Sequence, residues 1–372
     1  MALPSPSDLP KIRLLSLATA VPPHVIEQET VAAHARQLFP SRGRALDRLL
    51  PVFENAGITK RHSCQPIDWY LEAKDWQTRN DLYVENAVAL LEQAADRCLT
   101  KAGLSPHDVD AVVAVSTTGV ATPSLDARLV DRLSLRRDVQ RLPIFGLGCA
   151  GGVLGLGRAA AMARGMPGSK VLFLVVELCA LTFRLKDQSN SNIVATALFG
   201  DGAAAVLLEA GDQQSSANGA EITAWGEHTW PDSLDVMGWS VENDGLGVIF
   251  SKDIPTIVRK QMTGAADAFL SQQGLSRADL SGYVCHPGGA KVIRALEEAF
   301  ELGPEALQDA KEALRQYGNM SAASVLFVLE RGLERGLHGR HLMTALGPGF
   351  TAGFVLLDCP REPNHQQRQA AE

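Results

Sequence analysis

Short apolar runs alternate with longer amphipathic stretches along this chain, and that alternation sets the fold class. Residues 12–18, 111–116, 171–177 and 201–208 read as strands in the first half, and 221–227, 281–286, 341–346 and 352–358 in the second. Each run is bounded by glycine, proline or polar residues, the usual strand punctuation. Residues 81–101 and 255–273 instead space their apolar positions at the helical period. Strands alternating with helices predict an α/β protein with mostly parallel sheets covered by helices. The segment ALGPGFTAGFVLLD reads as two strands around a tight turn, because proline presets its own φ and glycine takes conformations closed to other residues.

The pattern occurs twice. GLSPHDVDAVVAVS, residues 103–116, has a counterpart in GLSRADLSGYVCHP, residues 274–287, an offset of 171. Each has a Gly-Leu-Ser turn, an acidic stretch and a strand, and each follows one of the two amphipathic helices. A second pair, GDGAAAVLLE at 200–209 and GFTAGFVLLD at 349–358, keeps the same order at an offset of 149. The first half therefore carries extra sequence ahead of its strand, and polar, turn-rich LTFRLKDQSNSNIVATA, residues 181–197, is the expected insertion. An internal repeat of this size predicts a duplicated fold.

Composition fits two halves. With 372 residues, 46% of them hydrophobic, the chain exceeds one ordinary core. GDQQSSANG, residues 211–219, is polar and aperiodic, which predicts halves spanning 10–215 and 216–360 and a disordered tail over 361–372. A net charge of −7 without a Lys/Arg run argues against nucleic acid as a partner. The start shows no signal peptide, and the longest apolar runs, such as Val171 to Val176, are too short to span a bilayer. Six scattered cysteines without metal-ligand spacing predict a reduced, cytoplasmic protein with no metal site.

Three residues carry candidate chemistry. Cys149 in FGLGCAGGVLGLGRAAAMARG follows a Gly-Leu-Gly bend and opens a helical run. Unpaired N–H groups and the positive end of the helix dipole favour a thiolate there; a buried inert cysteine is the plain alternative. The missing Lys-Ser/Thr after GLGCAGG argues against a phosphate-binding loop. His286 ends the strand GYVCH ahead of PGG, at the strand end where α/β sheets bind ligands; a surface histidine is its alternative. Asn319 in YGNMSAAS could simply cap the helix that begins there. Its distance from Cys149, however, is 170 residues, nearly the repeat offset, so the two should open the same helix in the two halves.

GLGCAGG, LFGDGAAA, HPGG, YGNMSAAS and GPG together resemble the chalcone synthase-like, or type III, polyketide synthases, from about residue 10 to 358. The resemblance implies the thiolase-like duplicated fold in five layers, α/β/α/β/α, and a homodimer. It implies that Cys149 takes an acyl group from a thioester and is held as thiolate by an ion pair with His286. His286 and Asn319 would face the malonyl-CoA thioester as oxyanion donors during decarboxylation, and a Claisen condensation would extend the chain iteratively. Malonyl-CoA and acyl-CoA are substrates in this scheme, and no cofactor is needed. Phe199 and Phe250 match gatekeeping phenylalanines, and Gly347, Pro348 and Gly349 match a loop that scaffolds the cyclisation pocket. Thr117, Thr118, Ala121, Cys179 and Thr182 would line the cavity, with Thr122 reaching toward the partner subunit. STTGVATPSLDAR resembles the bacterial alkylpyrone and alkylresorcinol synthases, which implies a medium- to long-chain fatty acyl starter.

One departure concerns coenzyme A. Plant members hold its phosphates with basic residues on the helix before residue 60, where this chain has LLPVFENAGITKR; Arg44, Arg48, Lys60 and Arg61 are nearby but unmatched. An acyl carrier protein is an alternative starter donor. A single-round ketoacyl-carrier-protein synthase III shares the implied fold and the Cys-His-Asn set, but its motifs resemble HQAN and GFGGG rather than HPGG and GPG. A cysteine hydrolase built on Cys149, His286 and Asn319 gives no reason for the repeat. A non-catalytic binding protein has no need of all three polar residues. Starter length, the number of extensions and the ring closure are not legible in the chain.

Overall fold

The computed structural model describes residues 10–211 and 219–360; most of the expected inter-half boundary and the tail 361–372 lie outside the described residues. Among the described residues thirteen strands are formed: β1 (Lys11–Ala20), β2 (His24–Glu27), β3 (Lys60–Ser63), β4 (Ala111–Val115), β5 (Gln140–Ile144), β6 (Lys170–Leu178) and β7 (Asp201–Gly211) precede β8 (Glu221–Thr229), β9 (Met237–Glu242), β10 (Gly245–Phe250), β11 (Gly282–Cys285), β12 (Gly339–Gly347) and β13 (Thr351–Cys359). Nine of them hydrogen-bond in the order β11-β12-β13-β8-β1-β7-β6-β4-β5.

This row is two leaves joined at a seam. β1 and β8 meet only at Ile12–Ile222 and Arg13–Glu221. On either side the same order unfolds, β1-β7-β6-β4 in one leaf and β8-β13-β12-β11 in the other. Toward their outer edges both leaves turn parallel, β6 with β4 and β4 with the edge strand β5 in one, and β12 with β11 in the other. The expectation of mostly parallel sheets is corrected here. The strands nearest the seam are antiparallel in both leaves, and β6–β7 and β12–β13 are antiparallel as well. β12 and β13 are joined by a tight turn, which the Gly-Pro-Gly signal foretold; β6 and β7 run antiparallel although a helix lies between them.

Helices cover both leaves on both faces. Ala111, Val113 and Val115 pack toward Val153 and Leu156 of the helix Gly151–Gly165, whereas Val112 and Ala114 face Leu91, Ala94 and Leu99 of the helix Trp76–Ala102. All five residues of β4 are buried for that reason. In the second leaf, Gly353 lies against Leu154 of the central helix, and its neighbour Phe354 stacks at 5.3 Å on Phe269 of the outer helix Ile254–Gln272. The central layer pairs Gly151–Gly165 with Ser324–Glu334. Glycine allows this approach: a Cβ on Gly152 would lie 2.2 Å from the Ala322 carbonyl oxygen. The result is the five-layered α/β/α/β/α stack.

The repeat is visible at atomic detail. Ser105 and Asp108 form a capping box on a 3₁₀ turn ahead of β4, and Ser276 and Asp279 form the same box ahead of β11. The segment 181–197 is not a plain polar insertion, since Asn190–Leu198 is a helix capped by the Ser189 side chain on the Asn192 N–H, at 3.1 Å. No helix among the described residues is long and apolar enough to cross a membrane.

Candidate active site

Cys149 lies in a 3₁₀ turn, Gly148–Ala150, that leads into the central helix Gly151–Gly165. The turn is shaped by contact with the Gly347-Pro348-Gly349 turn after β12. Gly148 has φ +47, and a Cβ there would lie 2.5 Å from Pro348 Cδ; one on Gly347 would lie 2.4 Å from the Leu147 carbonyl oxygen. His286 follows β11, and its backbone N–H donates to the Thr344 carbonyl of β12 at 2.9 Å. Asn319 is clamped by its backbone, donating to Leu198 O at 2.8 Å and accepting from Gly200 N at 3.0 Å. Its Oδ1 accepts from the Ser321 N–H at 2.8 Å, and its Nδ2 donates to Gly288 O at 3.2 Å. The Asn319 side chain also hydrogen-bonds the Cys149 thiol, so the Nδ2 group serves both Gly288 and the sulfur.

Cys149, His286 and Asn319 line one cavity of about 490 Å³. The expected equivalence of Cys149 and Asn319 is only approximate. The helix after Cys149 starts at Gly151 and the helix after Asn319 at Ser324. Asn319 therefore stands further back from its helix, and it supports the Ser321 turn, whose φ is +47, rather than capping the helix itself.

Burial works against the thiolate–imidazolium pair that the resemblance implies. Burial pushes the Cys149 thiol up to about 11, against opposing hydrogen bonds from Ser321 and Asn319 and reinforced by the Glu177 charge. Burial takes His286 down to about 3. Both ring nitrogens of His286 are buried without a hydrogen-bond partner in the protein. Desolvation disfavours the charged form of each group, while the helix terminus and the attraction between the two charges act the other way.

Beneath the thiol lies a carboxyl that sequence reasoning missed. Glu177 on β6 is fully buried, and burial raises it to about 7. It accepts from the Thr117 N–H at 3.0 Å and from Ser321 Oγ at 3.4 Å. Thr117 Oγ1 accepts from the Gly148 N–H at 3.1 Å, and Thr118 Oγ1 from the Leu178 N–H at 2.9 Å. The two threonines, expected on the cavity wall, use their hydroxyls to hold the backbone of the Cys149 turn and of β6. A carboxylate inside the apolar run VLFLVVEL was the available signal.

Two halves of one sequence description match the chain: "Chalcone and stilbene synthases, N-terminal domain" over residues 66–212 and the corresponding C-terminal domain over 222–359. The chain belongs to the chalcone and stilbene synthase family. It is a type III polyketide synthase, an acyltransferase of the decarboxylating-condensation kind. It is 42% identical over 347 residues to the 1,3,6,8-tetrahydroxynaphthalene synthase of Streptomyces peucetius subsp. caesius, covering 91% of either chain. It is 26% identical over 357 residues to the alpha-pyrone synthesis polyketide synthase-like Pks18 of Mycobacterium tuberculosis, covering 93% of this chain and 90% of that one. The crystal structure of the 1,3,6,8-tetrahydroxynaphthalene synthase of Streptomyces coelicolor superposes with a TM-score of 0.86 at 28% identity, covering 94% of this chain and all of the other. The synthase III and hydrolase alternatives give way to this assignment.

In this type III synthase the remaining expected residues fall into three places. Phe250 lines the 490 Å³ cavity. Phe199, Cys179 and Thr182 line a second, mostly apolar cavity of about 60 Å³. The rings of Phe199 and Phe250 touch edge to face at 5.7 Å, where the two cavities adjoin, and Trp239, missed in the sequence, lies 6.1 Å from Phe199. Ala121 and Thr122 stand apart from both, on a surface cleft with Trp76 and Arg128. The basic residues also sort themselves. Arg61 is buried and bound to the carbonyls of Thr196, Phe199 and Ala197, so it is committed to the fold. Arg48, Lys252 and Lys291 line the main cavity with their residues exposed; Lys252 and Lys291 were not anticipated.

Proposed function

We propose that this type III synthase loads a fatty acyl starter on Cys149, extends it with malonyl-CoA and closes the product to an alkylpyrone or alkylresorcinol. The observation that carries the reading is the apolar lining of the two cavities on either side of the Phe199–Phe250 contact, with Ile26, Val31, Leu38 and Ile67 behind Phe199 and Leu198, Met262 and Leu296 in the 490 Å³ cavity, where an alkyl chain has room to lie. In loading, Cys149 Sγ attacks the starter thioester while its proton passes to neutral His286, and the proton leaves with the departing CoA thiol. Malonyl-CoA then loses carbon dioxide, and the electron pair moves onto the thioester oxygen. An imidazole N–H of His286 and the Nδ2 group of Asn319, which faces Cys149, stabilise that enolate, each donor contributing about 3 kcal/mol in comparable sites. The enolate carbon bonds to the acyl carbonyl and the C–S bond breaks, returning the chain to CoA and a thiolate to Cys149.

Arg48, Lys252 and Lys291 supply positive charge at the cavity mouth for the CoA phosphates, or for the acidic face of an acyl carrier protein. The enzyme works as a homodimer in the cytoplasm and needs no metal or organic cofactor. A second reading rests on the 42% identity to a tetrahydroxynaphthalene synthase: a ten-carbon aromatic product without an alkyl chain, which malonyl units alone can supply. Mass spectrometry of products from malonyl-CoA, with and without acyl-CoA or acyl-carrier-protein starters of graded length, tests both. Alkyl-bearing ketides support the main reading; an aromatic product from malonyl-CoA alone supports the second. No ketide with any starter would refute both.

A further inference from the structure

The Cys-His-Asn set leaves one polar group of the cavity wall without a role. Thr344 lies on β12 two residues before Leu346, is 1% exposed, and lines the same cavity as Cys149, His286 and Asn319. Its carbonyl is used, accepting from the His286 N–H at 2.9 Å. Its hydroxyl is not: Oγ1 is buried and finds no hydrogen-bond partner in the protein. The strand environment does not call for a hydroxyl here, since the neighbours Met343 and Ala345 are buried and apolar. A valine has the same shape and no unpaired group, and an unsatisfied buried hydroxyl costs stability that valine would keep. The two ring nitrogens of His286 are in the same condition, buried and unpartnered on the wall of the same cavity.

We propose that Thr344 is a further substrate-binding residue, whose hydroxyl donates to a carbonyl oxygen of the growing polyketone and so favours the longer chains. The inference rests on the polyketide reading and adds to it. Each extension places another ketone oxygen on the chain, and the mechanism assigns His286 and Asn319 to the thioester oxygen undergoing decarboxylation. The ketone oxygens of an extended chain otherwise enter an apolar cavity with few donors, which disfavours them. One donor set apart from the decarboxylating pair lowers that cost only for chains that carry such oxygens.

The test compares the wild-type enzyme with Thr344→Val and Thr344→Ser, by product mass spectrometry and by thermal unfolding. Thr344→Val is expected to lower the ratio of the longest ketide to the shortest by about three- to tenfold, the worth of one neutral hydrogen bond. Its Tm is expected to stay level or rise, because an unpaired hydroxyl has been removed. Thr344→Ser is expected to restore the wild-type ratio. An unchanged product ratio in Thr344→Val overturns the proposal. So does a lower Tm accompanied by an equal loss of all products, which marks a purely structural threonine. Failure of the polyketide reading is separate, because it appears as an absence of ketides from the wild-type enzyme.

Discussion

Beneath Cys149, the polar groups supplied by residues 116–178 are hydrogen-bonded: Thr117 and Thr118 hold backbone N–H groups, and Glu177 ties Thr117 to Ser321. Across the cavity, on the wall supplied by residues 286–344, both His286 ring nitrogens and the Thr344 hydroxyl have no partner in the protein. The two walls descend from the same repeated unit, yet one is closed and the other open. The closed wall fixes where the Cys149 sulfur stands. The open wall keeps donors unspent for groups that arrive with the substrate, at a cost in stability that a purely structural wall would avoid.

The sharpest way to break this division is to remove one side at a time. Cys149→Ala takes away the sulfur proposed to carry the acyl group and leaves the proposed donors in place. Ketide formation is expected to fall by at least about 10³-fold, while carbon dioxide release from malonyl-CoA continues. His286→Ala and Asn319→Ala should do the reverse, slowing carbon dioxide release by about 10²–10³-fold each. Radiometric or coupled assay of carbon dioxide, run beside product analysis, separates the two outcomes. If Cys149→Ala stops carbon dioxide release as completely as Asn319→Ala does, the walls do not divide the chemistry.

Glu177 sharpens the comparison through pH. Its folded-state value of about 7 lies above the ordinary carboxylate range, so the folded protein holds a proton that the unfolded chain has lost. The sign follows: this contribution to stability is complete below about pH 4 and disappears as the pH rises through about 7. Asp201, raised by burial to about 6, acts in the same direction at lower pH, while His286, lowered to about 3, acts oppositely below about 6.5. Between about pH 6.5 and 7.5 Glu177 supplies the largest part of the fall, and above that the buried thiols, all raised by burial, add to it. Glu177→Gln should flatten the Tm profile across that window, and an equally steep profile in the variant would remove Glu177 from the account.

The two walls were not equally legible in the chain. Cys149, His286 and Asn319 stand beside glycines that punctuate the sequence, and the repeat relates two of them. β4, β6 and β7 are legible because both faces are covered, which leaves continuous apolar runs. β5, reading QRLPI and exposed over four of its five residues, carries no such pattern. The short pairs β2–β3 and β9–β10 are specified by their partners rather than by their own composition. Glu177 and Thr344 were readable in principle, as single polar residues inside apolar strands, but nothing local says that one would be satisfied and the other not. That difference is made by tertiary contact alone, as is the convergence of Arg48, Lys252 and Lys291 from three distant segments.

Those three cations give the smallest expected effect and extend the comparison to the cavity mouth. Arg48 comes from the first half of the chain, Lys252 and Lys291 from the second, and all three are exposed. Their attraction to a phosphate acts through water and is weak, about 0.2–1 kcal/mol for each exposed pair. Lys291→Ala should therefore raise the KM for malonyl-CoA by about two- to fivefold with kcat unchanged, since the charge acts equally on bound substrate and transition state. The difference should shrink as salt is raised, because exposed charges are screened over about 8 Å at physiological ionic strength. A loss in kcat, or a KM effect indifferent to salt, would instead place Lys291 with the open wall and make it part of the reacting site.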